Sequence, residues 1–423
     1  MECGPPAVLI SEVNAHVVCS SELSGPVRSH CRSFGKGARA SVYVRIGKPS
    51  GVYGGVERLQ YRIKGGAREE THYCGRTFEN QLWHSAAVME ALKNRPDIQP
   101  DLIVGHSGFL STLFLRELYD APQISYFEYF YRTKHSDMDF RTDLPEVGFA
   151  ERIRSRVRNA GLLLDPDNCD AGYSPTTWQR NQLPSEYHDK IVPIFDGIDT
   201  TFWKPVELTS RNIGGWDIPT DKRVVTYVSR GMESIRGFDI FMKVAKRICD
   251  ERSDVVFVVV GEDRVAYGGD LRFTEGKSFK QWVLAQDEYD LNRILFLGRI
   301  PPTELVRLFS LTDLHLFWTV PFVLSWSLFD ALACGATVLA SDTGPVRELI
   351  QDQQNGMLTD FFDVDRWVNQ TNTILDAPED LTNLGTAGVE TIRNQYSMDV
   401  CLPQLLALYQ ATVNRYSGKS EDA

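Results

Sequence analysis

The stretch Leu314–Leu349, LHLFWTVPFVLSWSLFDALACGATVLASDTGPVREL, decides how the chain is read. It opens with an apolar run, Leu314 to Val320, between Asp313 and Pro321. After a loop-like segment, Ser325 suits a helix N-cap, and Leu328, Phe329 and Leu332 supply an apolar face. Gly335 stops that helix. ATVLAS reads as a short buried strand, and DTGPVRELI starts another helix after a Gly-Pro turn. Strand, loop, helix, strand, loop, helix is the order of a parallel α/β sheet. Such sheets bind ligands at the loops leaving the carboxyl ends of their strands. The loop before the Ser325 helix therefore suits an anion, because unpaired N–H groups and the positive end of the helix dipole point out of it.

The same residues carry a family resemblance. DALACGATVLASDTGPVREL resembles the donor-site signature of glycosyltransferase family 4, written EPFGLxxLEAMACGTPVIAxxxGGxxEl. Asp330 falls where that family has its second Glu, which holds the nucleotide ribose. The family's first Glu falls on Phe322 without a gap, or on Val320 when the Pro-Phe pairs are matched, and neither residue is acidic. The wording PFVLSWSL resembles a bacterial subgroup of the family, and places Val323, Leu324 and Ser325 at the donor. The resemblance implies an α/β protein of two Rossmann-like domains facing across a cleft, the GT-B fold. It puts an acceptor-side domain at residues 1–200 and a nucleotide-sugar domain at 201–396. A helix over 397–423 crosses back to the first domain.

Bulk properties agree with an ordinary globular protein. A chain of 423 residues is long enough for two or three domains. A formal net charge of −11 argues against a general nucleic-acid binder. The 8 cysteines are scattered without a CxxC pair and read as reduced thiols of a cytosolic protein. VVFVVV, Val255 to Val260, is too short to cross a bilayer, and MECGPPAVLISEV lacks the features of a signal peptide.

In the first half, AVLISEV and ASVYVRI are candidate strands, and SGVYGGVERLQ reads as a turn plus strand. TFENQLWHSAAVMEALKN reads as a helix capped at Thr77. DLIVGH is a strand ending at His106, followed by a loop and a helix within SGFLSTLFLREL. GHSGF resembles the HPGW element of the subgroup, which makes His106 a catalytic candidate beside its plain reading as a loop histidine. ISYFEYFY reads as a strand carrying Glu128 among aromatics, with Tyr131 just beyond. Its likeness to the subgroup's YFEFYY puts Glu128 and Tyr131 on the acceptor side; the plain reading is aromatic core. Asp137-Met138-Asp139 mimics a DxD metal motif, but no long apolar strand precedes it and no metal is expected there. Arg152, Arg154, Arg156 and Arg158 lie on a helix with Ile153, Val157 and Ala160 as its apolar face. They read as a solvated surface or as a peripheral contact with anionic membrane. KIVPIFDGIDTTFWKP resembles the family's interdomain hinge, with a turn at Asp196-Gly197.

In the second half, RVVTYVSRGMESIRGFDIFMKVAKRI reads as strand, loop and helix, with Arg230 leaving the strand's carboxyl end and Arg236 opening the helix. It resembles the family's GRLxxxKG element, with Arg in place of Lys. Gly298, Arg299 and Ile300 resemble the segment whose backbone meets the base. The last helix, near Leu402–Arg415, presents Leu402, Leu406, Tyr409 and Val413.

The resemblance implies a retaining glycosyltransferase with a UDP- or GDP-linked sugar as substrate, a hydroxyl acceptor, no metal and no separate cofactor. Two arginines on separate loops would neutralise the leaving diphosphate. Two alternatives stand beside it. The non-acidic first motif position would suit an inactive nucleotide-sugar-binding scaffold. A dinucleotide oxidoreductase would also have two Rossmann domains, but no GxGxxG follows a strand.

Overall fold

The computed structural model describes residues 17–20, 41–46, 49–53, 56–110 and 112–421, and AVLISEV lies outside them. Chain contacts divide the molecule into two units. The first takes Met1–Arg132, Gly148–Asp196 and Cys401–Ala423; the second takes Thr133–Val147 and Gly197–Val400.

The first unit is built on strands β1 Val17–Ser20, β2 Ser41–Ile46, β3 Gly51–Tyr53, β4 Val56–Tyr61, β5 Leu102–His106, β6 Gln123–Tyr126, β7 Ala171–Ser174 and β8 Ile191–Pro193. Among the described residues they form one sheet in the order β3-β4-β2-β1-β5-β6-β7-β8. All neighbours are parallel except the β3–β4 hairpin. Strand β5 is buried along its whole length, as a central parallel strand covered on both faces must be. Leu102 and Val104 pack with Ile124, Tyr126, Tyr173, Leu405 and Tyr409 on one side. Ile103 packs with Val88, Leu92 and Leu115 on the other.

The second unit carries a small hairpin, β9 Asn212–Ile213 with β10 Trp216–Asp217. Its main sheet holds β11 Arg223–Gly231, β12 Val255–Glu262, β13 Ile294–Gly298, β14 Leu314–Phe317, β15 Val338–Ser341 and β16 Met357–Thr359. The order is β13-β12-β11-β14-β15-β16, all parallel. Ser325 is the N-cap of helix Trp326–Ala333, whose Leu328, Phe329 and Leu332 are fully buried, as the sequence pattern requires.

Several local expectations give way to tertiary context. Strand β6 stops at Tyr126 because its partner β5 ends at His106, which pairs with Tyr126, so Glu128 stands on the loop beyond. The expected helix after Gly108 is only a short 3-10 turn, Leu115–Glu117. The helix expected to be capped by Thr77 is Arg76–Lys93, with Gly75 before it. Helix Phe149–Asn168 buries Ser155, Asn159, Leu162 and Asp165, while Ala160 of the expected apolar face is exposed. The last helix, Met398–Glu421, begins earlier than expected, so Pro403 lies inside it rather than in its first turn, and its buried side is Cys401, Leu405, Tyr409 and Thr412. The segment Thr133–Val147, which the sequence placed in the first domain, belongs to the second unit.

Candidate functional site

In the second unit the strand order reverses direction of growth between β11 and β14, which makes a crevice at their carboxyl ends. Arg236 fills it. This residue ends a 3-10 turn, Ser234–Arg236, and is followed by Gly237 in the left-handed region at φ 62°. Only glycine fits at 237, because an added Cβ would lie 2.6 Å from Cβ of Trp318. Trp318 is itself fixed by stacking on Trp367 at 3.7 Å between ring centres. The turn is held further by the Tyr227 hydroxyl, which donates to the Arg236 carbonyl at 2.9 Å.

The Arg236 side chain is only 6% exposed, and the residue ends a 3-10 turn just before the helix it was expected to open, which begins at Phe238. Its guanidinium donates to the Thr319 hydroxyl at 2.7 Å and to the Val323 carbonyl at 3.1 Å, and lies near the rings of Tyr267 and Phe322. Among the described residues no carboxylate is within ion-pair distance of it. Burial pushes its pKa below the ordinary value, although an arginine stays charged at any physiological pH. A buried cation with neutral partners is costly unless an anion completes the site.

Arg230, at the end of β11, donates to the Tyr267 hydroxyl at 2.9 Å, and its guanidinium also lies over that ring. Tyr267 therefore touches both arginines. Its loop is tied down by two acids that sequence reasoning missed. Glu233 accepts the N–H groups of Tyr267 and Gly268 at 2.8 and 2.7 Å. Asp270 accepts the Ser234 N–H at 3.0 Å and the Ser234 hydroxyl at 2.5 Å. Burial raises the pKa of both acids. The signal was an acid between the two arginines, in a loop otherwise suited to an anion.

The remaining donor-side candidates sit on the same pole of this sheet. Val323 supplies the carbonyl that Arg236 meets, Leu324 is buried, and the Ser325 hydroxyl caps its helix through the Ser327 N–H. Gly298 ends β13 with φ 64° and open space where a Cβ would stand; Arg299 is exposed and Ile300 half-buried. Asp330 lies in the helix that Ser325 caps, half-buried, and loss of solvent raises its carboxyl well above the usual range. Phe322 and Val320, at the family's first acidic position, are both buried: the Phe322 ring faces Arg236, and the Val320 N–H donates to the Ile235 carbonyl at 3.0 Å.

In the first unit, β1 and β5 flank the corresponding reversal of strand order, and His106 closes β5. Its Nδ1 bonds the Ser107 carbonyl at 2.7 Å, and its Nε2 is 3.4 Å from the Glu128 carboxylate. Two residues chosen separately from the sequence thus form one pair. Burial opposes charge on His106, but Glu128, the Ser107 carbonyl and Asp165 outweigh it and raise its pKa. Tyr131 is held by Asn159, which accepts its N–H at 3.0 Å and donates to its carbonyl at 2.7 Å, and Arg158 lies over its ring.

Asp165 was missed, although Ser155, Asn159, Leu162 and Asp165 recur at helical spacing. It is 2% exposed and accepts the Gly108 N–H at 3.1 Å, and Gln81 donates to the Gly108 carbonyl at 2.5 Å, so both help anchor the loop after β5. Burial pushes its pKa up to about 7. The folded state therefore keeps a proton that the unfolded chain loses near pH 4, and stability falls as pH rises from about 4 to about 7. The raised His106 acts in the same direction, its contribution being lost as pH rises through its folded pKa. Thermal melts of Asp165→Asn across pH 4–8 should be flatter than wild type; an unchanged slope would remove Asp165 as the cause.

Of the other candidates, Arg158 meets these sites through the Tyr131 ring. Asp139 closes a capping box on helix Asp137–Phe140, taking the N–H groups of His135 and Ser136, and among the described residues no cluster of acids, histidines and cysteines is arranged for a metal. Arg152 and Arg156 are exposed, and Arg154 and Arg158 half-buried. A groove of about 680 Å³, lined by Asp313, Cys334, Thr337, Glu390 and Arg393, opens at the amino ends of β14 and β15, the pole away from Arg236. No described helix is long and apolar enough to cross a membrane.

The fold can now be set beside known proteins. Sucrose-phosphate synthase from Thermosynechococcus elongatus superposes with a TM-score of 0.69 at 17% identity, covering 94% of this chain and 98% of that one. The Anabaena protein HepE, solved in complex with UDP-glucose, superposes with a TM-score of 0.62 at 13% identity, covering 96% and 100%. The fold is GT-B. Family models described as glycosyl transferase family 4 group and glycosyl transferases group 1 match residues 38–203 and 210–391. The chain belongs to glycosyltransferase family 4, group 1, and is a glycosyltransferase using nucleotide-sugar donors. A D-inositol 3-phosphate glycosyltransferase of Corynebacterium glutamicum is 25% identical over 395 residues, 89% of this chain and 88% of that protein. One from Segniliparus rotundus is 24% identical over 272 residues, and the match spans 58% of that protein's length. Nothing in these comparisons supports the inactive-scaffold alternative.

Proposed function

We propose that this enzyme is a retaining, metal-independent transferase that moves a sugar from a UDP- or GDP-linked donor to a hydroxyl of a glycan, lipid-linked or small-molecule acceptor. The observation that carries the reading is Arg236, a buried guanidinium without a carboxylate at the strand-order reversal of the second unit. Negative charge grows on the departing diphosphate as the glycosyl bond breaks. Arg236 and Arg230 take up that charge, with the amides opening the Trp326–Ala333 helix beside them. The donor's own phosphate takes the acceptor proton, so the second unit needs no carboxylate base. Asp330 accepts from the ribose hydroxyls, and the Gly298–Ile300 backbone meets the base. In the first unit, His106 serves the donor sugar, and Glu128 and Tyr131 serve the acceptor. The solved neighbour bound to UDP-glucose supports a UDP donor, and the inositol-phosphate relatives support a polyol acceptor. Arg152 to Arg158, with Phe149 exposed beside them, would meet an anionic membrane where the acceptor is lipid-linked.

Incubation with a panel of UDP- and GDP-sugars, read by mass spectrometry and NMR, tests this. One donor should be transferred or slowly hydrolysed, with its anomeric configuration kept and its rate unchanged by chelator. Failure with every donor that binds would sink the reading; loss in chelator restored by Mn²⁺ would overturn the two-arginine account. Within the same assay, Asp330→Asn should narrow the affinity gap between UDP and its 2′-deoxy form, and an equal gap would return Asp330 to a structural role.

A further inference from the structure

The segment Thr133–Val147 is far in sequence from the anion site, yet it belongs to the same unit and reaches the turn that carries Arg236. Its contact is Arg141, a buried arginine whose side chain is fully engaged. One terminal nitrogen donates to the Ser234 carbonyl at 2.6 Å and to Asp239 Oδ1 at 3.1 Å. The other donates to Asp239 Oδ2 at 2.6 Å and to Asp143 Oδ2 at 2.8 Å, and Nε meets Asp143 Oδ1 at 2.8 Å. Ser234 opens the turn that Arg236 closes, and Asp239 stands in the first turn of the helix that follows Gly237. The segment is seated independently of Arg141. Phe140 packs on Phe361 and Phe362, and Arg272 donates to the Pro145 carbonyl at 3.2 Å.

This geometry has two consequences for Arg236. The Ser234 carbonyl and the Asp239 carboxylate are gripped on either side of it, which fixes the backbone path of the turn. Both oxygens of Asp239, the acid three residues along the chain, are occupied by Arg141. A bidentate arginine–carboxylate pair holds its geometry closely, so Asp239 is kept from pairing with Arg236. Arg236 is left for an external anion.

We infer that Arg141 is a positioning residue for the donor diphosphate, keeping the Ser234–Arg236 turn in place and Asp239 away from the anion site. The inference rests on the reading of Arg236 as the diphosphate ligand. The first half of the chain thus contributes to donor binding through residues that never touch the nucleotide.

The test compares Arg141→Ala, Arg141→Lys and Arg236→Ala by titration with UDP (GDP if the wild type prefers it), melting and steady-state rates. Arg141→Ala should weaken UDP binding and raise the donor KM by about 10-fold or more per folded molecule, with the acceptor KM unchanged. Truncating a buried pair can unfold a protein, so Arg141→Lys is the second variant. It keeps the charge but lacks the fork, and it should fold and still lose several-fold in UDP affinity. If folded Arg141→Lys binds UDP as the wild type does while Arg236→Ala does not, Arg141 is only structural and the inference is overturned. If Arg236→Ala also binds as the wild type does, the diphosphate reading itself has failed, and the inference with it.

Discussion

Arg236→Ala should cut glycosyl transfer by about 10²-fold or more, close to 3 kcal/mol of charge stabilisation, while leaving the melting temperature unchanged or raised. The two halves of that expectation come from one fact. Arg236 is 6% exposed, and among the described residues its guanidinium bonds a hydroxyl and a carbonyl and lies near two aromatic rings, with the Glu233 carboxylate attracting it from beyond ion-pair distance. Burying such a group without an anion destabilises the empty protein, so its removal relieves the fold. The same lack of a paired carboxylate makes it strong toward a diphosphate, because no ion pair has to be broken first. Arg236→Met, which keeps the volume, guards against an effect of the cavity alone. An arginine that merely braces the Val323 loop would show the reverse pattern, a lower melting temperature with transfer per folded molecule preserved.

His106→Ala should lower transfer by about 10²-fold while nucleotide affinity stays near the wild-type value, because the nucleotide is assigned to the other unit. The ring is oriented for such a role. Its Nδ1 is fixed by the Ser107 carbonyl, its Nε2 approaches Glu128, and Phe109 and Tyr126 wall it in edge-on. The competing reading, a histidine that caps the chain after Gly108, is weakened by Asp165, which already takes the Gly108 N–H. That reading predicts a loss of stability with the rate per folded molecule unchanged. Melting curves and single-turnover rates on this one variant separate the two.

The parallel sheet of the second unit was legible because its strands are short apolar runs that alternate with capped helices. Ser325, Gly335 and the Leu328, Phe329 and Leu332 face all behave as their residue types require. Arg230 and Arg236 could be named from RVVTYVSRGMESIRGF, but the burial of Arg236 could not, since it depends on Trp318, Thr319 and Phe322 from a distant loop. The roles of Arg141 and Asp165 were hidden for a related reason. Each works through a partner that sequence distance hides, Asp239 for one and the Gly108 N–H for the other. Local pattern also overran β6, because strand length is set by the neighbouring strand and not by the apolar run of ISYFEYFY itself.

A crystal structure of the protein with UDP tests the central claim most directly. The account predicts the β-phosphate within hydrogen-bond distance of the Arg236 guanidinium, between the Ser234–Arg236 turn and the Val323 loop. A nucleotide bound elsewhere, for example in the groove beside Cys334 and Arg393, with Arg236 untouched, would contradict it.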